Sequence, residues 1–317
     1  MARIGFDVGG SSIKAGIVDG DARILARASA AFPTGEGVDA IASILRDLAL
    51  EMTSQSGIGW DKIESIGVAV PGSIDRSGRI ILNAHNLQLH DARLMDALEN
   101  SFPGIPLSIE NDANAAALAE LCAGALRGCR TAVLLTLGTG VGGGLILNGR
   151  MYPGGMRNGV EIGHMIFNAS GGRCTCGNRG CIESMCTAAY LIREGRKALI
   201  EFPSCSIATL ARGEFGAVDA RLVIDCAREG DKIALDIFER FLTALAGALS
   251  GLIAALDPEM LAIGGGVGEA GEYFFDELRS RLSVPGHACI IVPARMGNSA
   301  GIIGAAMLLS EFGTTIG

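Results

Sequence analysis

Aromatic residues are scarce: they make up 5% of the 317-residue chain, with a single tryptophan. That leaves no series of stacking platforms for single-stranded nucleic acid. Charge is scarce as well, at 19%, and acidic on balance, with a formal net charge of −8 and an isoelectric point near 5.1. A chain of that sign lacks the electrostatic footprint of a nucleic-acid binder, so no nucleic-acid partner is expected. A nucleotide polyphosphate stays open as a ligand, because backbone amides and a metal ion can supply the positive field. Long apolar runs are missing too. The longest, Phe241 to Leu256, is interrupted by Gly247 and Gly251, which suits a buried helix better than a membrane span. The start, MARIGFDVGG, has no apolar core of a signal peptide. No Walker A pattern occurs. The nine cysteines are odd in number and scattered, which reads as reduced thiols of a soluble cytoplasmic protein.

What the chain does hold is apolar residues, at 49%, and 46 glycines, about twice the usual share of roughly 7%. The length fits about two domains. Apolar runs at Arg3–Asp7, Ile13–Asp19 and Ile24–Ala31, split by turn residues, read as an antiparallel meander. A helix is expected near Val38–Ser54, a buried strand over Ile63–Val70 and a short strand over Leu107–Glu110. An Ala-rich helix follows over Ala113–Ala123. Strands over Thr131–Leu137 and Gly144–Asn148 flank a glycine loop, and this unit echoes the strand–glycine–strand start of the chain. The echo suggests a duplicated architecture with a cleft between halves. Residues 171 to 183 form a Cys/Gly-rich loop. Helices then run to Leu256, a strand covers Met260–Gly264, a helix Tyr273–Leu282, a strand Cys289–Val292 and a last helix Ser299–Glu311.

Several short segments could carry chemistry. In Asp7-Val8-Gly9-Gly10-Ser11-Ser12-Ile13-Lys14, a strand-end carboxylate can hold hydrated Mg2+ while two glycines let the backbone approach phosphate oxygens. A plain hairpin turn is the alternative. The run Gly138-Thr139-Gly140-Val141-Gly142-Gly143-Gly144 is a second phosphate-cradle candidate. It also matches G-x-G-x-x-G, but a strand follows it, not the helix that a dinucleotide site needs. Gly264, Gly265 and Gly266 could let an adenosine lie flat against the backbone. Asn111-Asp112 stands at a helix mouth, where the aspartate can act as general base toward an alcohol or serve as an ordinary N-cap. His164, Cys174, Cys176 and Cys181 supply the ligand set of a closed structural zinc site, with Cys186 as a competing thiol. Glu161 and Glu183 bracket that loop and could accept hydrogen bonds from sugar hydroxyls or be solvated acids.

Together DVGGSSIKAG, VAVPGSID, ENDANAAALAE, LGTGVGGGLILNG, EIGH, CTCGNRGCIES and DPEMLAIGGG resemble, in order, the motifs of the ROK family of sugar kinases and sugar-responsive repressors. The resemblance implies an α/β protein of the actin-like (ribonuclease H-like) fold, with two α/β domains around a central cleft. Its domains would be residues 1–112 plus 300–317, and 113–299 with the zinc loop. It implies ATP-dependent phosphorylation of a hexose, usually at O6, with ATP, Mg2+ and structural Zn2+ as cofactors and a homodimer as the assembly. Residue by residue it implies Asp112 as catalytic base and Gly72, Asn86, Asn111, Glu161, His164 and Glu183 around the sugar. Asp7, Gly9, Gly10, Ser11, Ser12 and Lys14 resemble the first phosphate motif, and Gly138, Thr139 and Gly140 the second. Glucokinase is the first reading, and an N-acetylglucosamine or N-acetylmannosamine kinase the second. A non-catalytic sugar sensor or regulator lacking its DNA-binding domain is the reading from another class, because the first phosphate motif begins at residue 7 and leaves no room for a helix-turn-helix.

Overall fold

A computed structural model describes residues 1–156, 159–282 and 284–310. In chain order the first elements are β1 (Ala2–Val8), β2 (Ser12–Asp19), β3 (Ile24–Ala31), α1 (Gly37–Ser56), β4 (Ile63–Val70), β5 (Ser73–Ile74), β6 (Ile81–Ala84), β7 (Leu89–Ala92), α2 (Leu94–Ser101), β8 (Leu107–Asn111) and α3 (Asp112–Ala123). They are followed by β9 (Ala132–Leu137), β10 (Val141–Leu147) and β11 (Arg150–Tyr152). Next come α4 (Ala188–Glu201), α5 (Ser206–Leu210), α6 (Ala220–Arg228), α7 (Lys232–Leu256), β12 (Met260–Gly264), α8 (Gly265–Gly268), α9 (Glu272–Arg281), β13 (Ile290–Pro293) and α10 (Ala300–Met307). The expected meander is β1–β2–β3, with both pairings antiparallel, while β1–β4 and β4–β8 are parallel. Glu311, the expected end of the last helix, and the rest of 311–317 lie outside the described residues.

Two five-stranded sheets repeat one topology. The first has the order β3-β2-β1-β4-β8 and the second β11-β10-β9-β12-β13. Numbered within each sheet, both read third, second, first, fourth, fifth. The echo in the sequence therefore reflects a duplicated α/β unit of the actin-like type. Among the described residues a small sheet, β5-β6-β7, has no counterpart. Its strands of two to four residues are too short to give an alternating pattern.

Internal packing divides the described residues into two compact units: one of 1–134, 144–160 and the segment from Arg295, the other of 135–143 and 161–294. These boundaries differ from a division at residues 112/113 and 299/300. The helix α3 belongs to the first unit because α10 packs on it directly: a Cβ on Gly304 would stand 1.7 Å from the carbonyl oxygen of Ala115. The other side of α10 lies on the first sheet. Gly16, Gly5 and Gly67 are side by side across β2, β1 and β4. Cβ atoms on Gly5 and Gly67 would come within 1.9 Å of Ile302 O and 1.8 Å of Ala305 O. Side chains at those positions would lift the helix off the sheet.

The core of the first unit is the layer between α1 and the other face of this sheet, around Ile4, Phe6, Ile13, Leu45, Met52, Ile66 and Val68. In the second unit α7 is, among the described residues, the one helix long and apolar enough to cross a membrane by length and composition. Twelve of its residues, Phe238, Phe241 and Leu245 among them, are buried within the unit. Its small residues Ala244, Ala246 and Ala248 are buried with them, which fits the expectation of a core helix.

Candidate functional site

In the first unit the segment Asp7–Lys14 is the β1–β2 connection, closed by a hydrogen bond from Gly9 N to Ser12 O at 2.9 Å. Neither Gly9 nor Gly10 has a positive φ, so turn geometry does not account for them. Gly10 is needed for close approach: a Cβ there would stand 2.9 Å from the carbonyl oxygen of Asn86. Ser11 O accepts a hydrogen bond from Phe32 N at 3.2 Å, which ties the turn to β3. Asp7 faces Lys14 across the β1–β2 pair, and its carboxylate is packed against Gly301, where a Cβ would be 2.5 Å away. Burial raises the Asp7 pKa above its ordinary value, with the Lys14 ammonium acting in the opposite direction. A half-buried carboxylate disfavoured as an anion is suited to a cation partner.

Where β8 ends and α3 begins, the two candidate residues divide their tasks. Asn111 is the N-cap: its Oδ1 accepts from Ala113 N at 2.9 Å and Asn114 N at 3.1 Å. Asp112, at the first helical position, accepts from Ala113 N at 2.8 Å and is not the cap. Asn111 Nδ2 donates to Gly72 O at 3.0 Å. Gly72 has φ +102°, and a Cβ there would meet Asn83 O at 2.1 Å, so only glycine fits. Beneath them, the buried Glu110 Oε1 accepts from Asn111 N at 2.9 Å and from Asn114 Nδ2 at 3.1 Å. Spacing alone gave no sign of that support. Asn86 is exposed in the short turn after β6.

In the second unit the glycine loop is shorter than its sequence suggests. The strand β10 begins at Val141, leaving Gly138, Thr139 and Gly140 as the turn. Gly143 is a packing glycine, since a Cβ there would strike the Ile162 side chain at 2.7 Å. Among Gly264, Gly265 and Gly266, the middle residue has φ +76° and sits against the Leu137 carbonyl. Gly266 is exposed with open space around it.

The sulfur atoms of Cys174, Cys176 and Cys181 and an imidazole nitrogen of His164 all lie within 4.8 Å of one another. Cys174 Sγ is 3.5 Å from His164 Nδ1, and Cys176 Sγ is 3.7 Å from Cys181 Sγ. Tetrahedral zinc with bonds of about 2.0 to 2.3 Å separates its ligands by about 3.5 Å, so this donor set fits such an ion in size and chemistry. Cys186 is buried outside the cluster, where burial pushes its thiol up to about 12. Glu183 Oε1 accepts from Thr175 Oγ1 at 2.7 Å, and its Oε2 accepts from Val141 N at 3.1 Å. Glu161 is exposed one residue ahead of the short helix that carries His164.

The sequence reading passed over α4. Its Ala188 N donates to Gly138 O at 2.9 Å, joining the helix to the glycine turn. Beside Thr139 a concavity of about 550 Å3 is lined by Ile192, Arg193, Arg196, Lys197 and Ile200 of α4 together with Phe215. The spacing 192, 193, 196, 197, 200 marks one helix face, a signal present in the sequence but mixed in polarity and so easily taken for surface.

A family model described as the ROK family matches residues 3–311. A glucokinase of Thermotoga maritima is 34% identical over 314 residues, covering 97% of both chains. An N-acetylmannosamine kinase of Citrobacter koseri is 31% identical, covering 97% of this chain and 98% of its own. Among solved structures, a Streptomyces griseus ROK family glucokinase in complex with glucose and AMPPNP is 30% identical with a TM-score of 0.79, covering 97% of this chain and 99% of that one.

Proposed function

The chain belongs to the ROK family, and on that premise we propose that it is an ATP-dependent hexose kinase acting on O6 of glucose. Similarity to glucokinases over 97% of the chain supports the reaction class. The observation that carries the chemistry is the division of labour at the mouth of α3, where Asn111 does the capping and Asp112 does not. A carboxylate relieved of that duty can take a proton from an alcohol.

The sugar hydroxyl oxygen attacks the γ-phosphorus and its proton passes to Asp112. The bond from that phosphorus to the β–γ bridging oxygen breaks, and ADP leaves. Asn111, fixed through Gly72 and Glu110, orients the sugar with Asn86, Glu161, His164 and Glu183. The Asp7–Lys14 turn and Gly138–Gly140 offer backbone and hydroxyl donors to the phosphates, and Gly264–Gly266 leave room beside the nucleoside. Asp7 would hold a magnesium ion, which supplies charge neutralisation of the phosphates when bound. His164, Cys174, Cys176 and Cys181 would hold a zinc ion that closes the loop and leaves no open coordination position for catalysis. The reading extends to a cytoplasmic homodimer, by analogy with the family.

An N-acetylmannosamine or N-acetylglucosamine kinase is the second reading, favoured by the 31% identity to an N-acetylmannosamine kinase. ADP release with Mg-ATP on glucose, mannose, fructose, N-acetylglucosamine and N-acetylmannosamine decides between them. Glucose giving the highest kcat/KM is the expected result. Preference for an acetamido sugar selects the second reading, and no turnover on any sugar overturns the enzyme.

A further inference from the structure

We infer that Gly10, so far placed only in a phosphate motif, is a positioning residue for the sugar and acts through Asn86, whose turn lies directly on it; this rests on the kinase reading above, in which Asn86 contacts the sugar. The φ of Gly10 is not positive, so no left-handed backbone demands glycine there. What excludes a side chain is Asn86: a Cβ on Gly10 would stand 2.9 Å from its carbonyl oxygen and 3.5 Å from its Cβ. A Cβ on Gly9 would instead meet Ser12 O, in the same β1–β2 turn, at 3.2 Å. Of the two adjacent glycines, one therefore serves its own turn and the other makes room for the Asn86 turn.

The Asn86 turn is ordered from its own side as well. Leu87 is buried and belongs to the core of the first unit. Gln88 N donates to His85 O at 3.1 Å, and Asn83 Nδ2 and His85 Nε2 are 3.0 Å apart. These contacts fix the backbone, while the Asn86 side chain stays exposed and able to meet a ligand. The same segment rests on a second glycine, since a Cβ on Gly72 would be 2.1 Å from Asn83 O. Gly72 O in turn accepts from Asn111 Nδ2 at 3.0 Å. Residues 83–86 thus run from the partner of Asn111 to the β1–β2 turn, with a carbonyl on a glycine at both ends. A methyl group at Gly10 would push on backbone, not on the end of a flexible side chain. The β1–β2 turn is closed by its own hydrogen bond and tied to β3, so the Asn86 turn is the part that shifts. A small misplacement of a hydrogen-bonding group is enough to weaken the bond it makes.

The test uses the purified full chain and calorimetry with the tightest-binding of the five sugars above. No nucleotide is present, so a residue acting on phosphates alone would not move the result. Gly10→Ala is expected to raise the sugar Kd about tenfold, the loss of one hydrogen bond, while Gly9→Ala stays within about twofold of wild type. Asn86→Ala should raise it by a similar factor, and adding Gly10→Ala to Asn86→Ala should change it no further, because both act on one contact. Asn86→Ala truncates an exposed side chain and keeps its fold whatever Gly10→Ala does, so an unchanged sugar Kd in that variant overturns the assignment by itself. An unchanged Kd in Gly10→Ala also overturns it, as do equal losses in Gly9→Ala and Gly10→Ala or additive losses in the double variant. Those results leave the phosphoryl-transfer reading standing. A wild type that binds none of the five sugars overturns both.

Discussion

Glu183 Oε2 accepts the backbone N–H of Val141 at 3.1 Å while its Oε1 accepts from Thr175 Oγ1 at 2.7 Å. One carboxylate thus joins the Cys-rich loop to the residue that follows the Gly138–Gly140 turn. Gly140 accommodates it closely: a Cβ there would stand 2.7 Å from Glu183 Oε2. The residue expected to contact sugar also braces the Gly138–Gly140 turn.

Glu183→Ala is therefore expected to raise the KM for both substrates, each by about tenfold. Zinc content should be retained, since Glu183 is not among the four clustered ligands. Steady-state kinetics with either substrate varied, beside metal quantification, check this. A variant with normal ATP KM would show that the turn holds its shape without the carboxylate.

Metal content can be read directly. The purified chain is expected to carry about one zinc per chain, the stoichiometry of a closed Cys3His site. Cys176→Ser should lose it and become open to proteolysis between residues 171 and 183, because a structural zinc contributes folding energy to its loop. Cys186→Ser, buried outside the cluster, should keep it. Equal zinc in Cys176→Ser and wild type would remove Cys176 from the ligand set.

Asp112→Asn is expected to lower kcat by about 10²- to 10⁴-fold, the range for loss of a general base. Sugar affinity should stay within several-fold, because the helix cap is Asn111 and the α3 terminus survives the change. Titration of glucose by calorimetry separates this from a collapsed site. Turnover near that of wild type would exclude Asp112 as the base.

How much of this was legible depended on the scale of the signal. The meander β1–β3 and the strand β4 follow from apolar runs bounded by glycine or Asp-Gly turns. The cluster of His164, Cys174, Cys176 and Cys181 follows from residue type and spacing. What stayed hidden were contacts across long chain separations. Gly143 and Gly265 look like ligand-cradling glycines in a row, yet one faces Ile162 and the other the Leu137 carbonyl. Nothing in the spacing of Glu110 and Glu120 marks them as interior, yet both are buried. The expected domains already joined residues 300–317 to the first; what spacing does not show is that α10 also packs on α3 and gathers it into that unit.

Asp7 should show a conflict between stability and activity. Burial raises its folded-state pKa above the ordinary value of 3.8, with Lys14 opposing. The native state then holds this proton more tightly than the unfolded chain. Below 3.8 both states are protonated and the group is neutral for stability. As pH rises through the raised folded pKa, the buried charge becomes a cost. Asp7→Asn is therefore expected to resist urea better than wild type at pH 7 without nucleotide or magnesium, with the gain vanishing below about pH 4. Its turnover with Mg-ATP should collapse. A variant less stable than wild type at pH 7 would show that the Lys14 attraction outweighs burial.

Glu120 makes the opposite case, a buried carboxylate that is fully employed. It is 1% exposed at the end of α3. Its Oε2 accepts from Ala125 N at 2.6 Å, and its Oε1 accepts from both Arg295 N and Met296 N at 2.7 Å. The three N–H groups belong to the turn after α3 and to the segment leading to α10, so one side chain fastens both within the first unit. In Glu120→Gln the amide oxygen can serve one side, but the amide nitrogen then points a donor at a donor. The stranded N–H groups should cost about 1–3 kcal/mol each, giving a lower urea midpoint. Glu120→Ala leaves all three without their acceptor and should lose more. The order wild type, Gln, Ala in urea stability is the expected result. Ala equal to Gln would mean that water replaces the carboxylate and that the segment before α10 is held by its backbone alone.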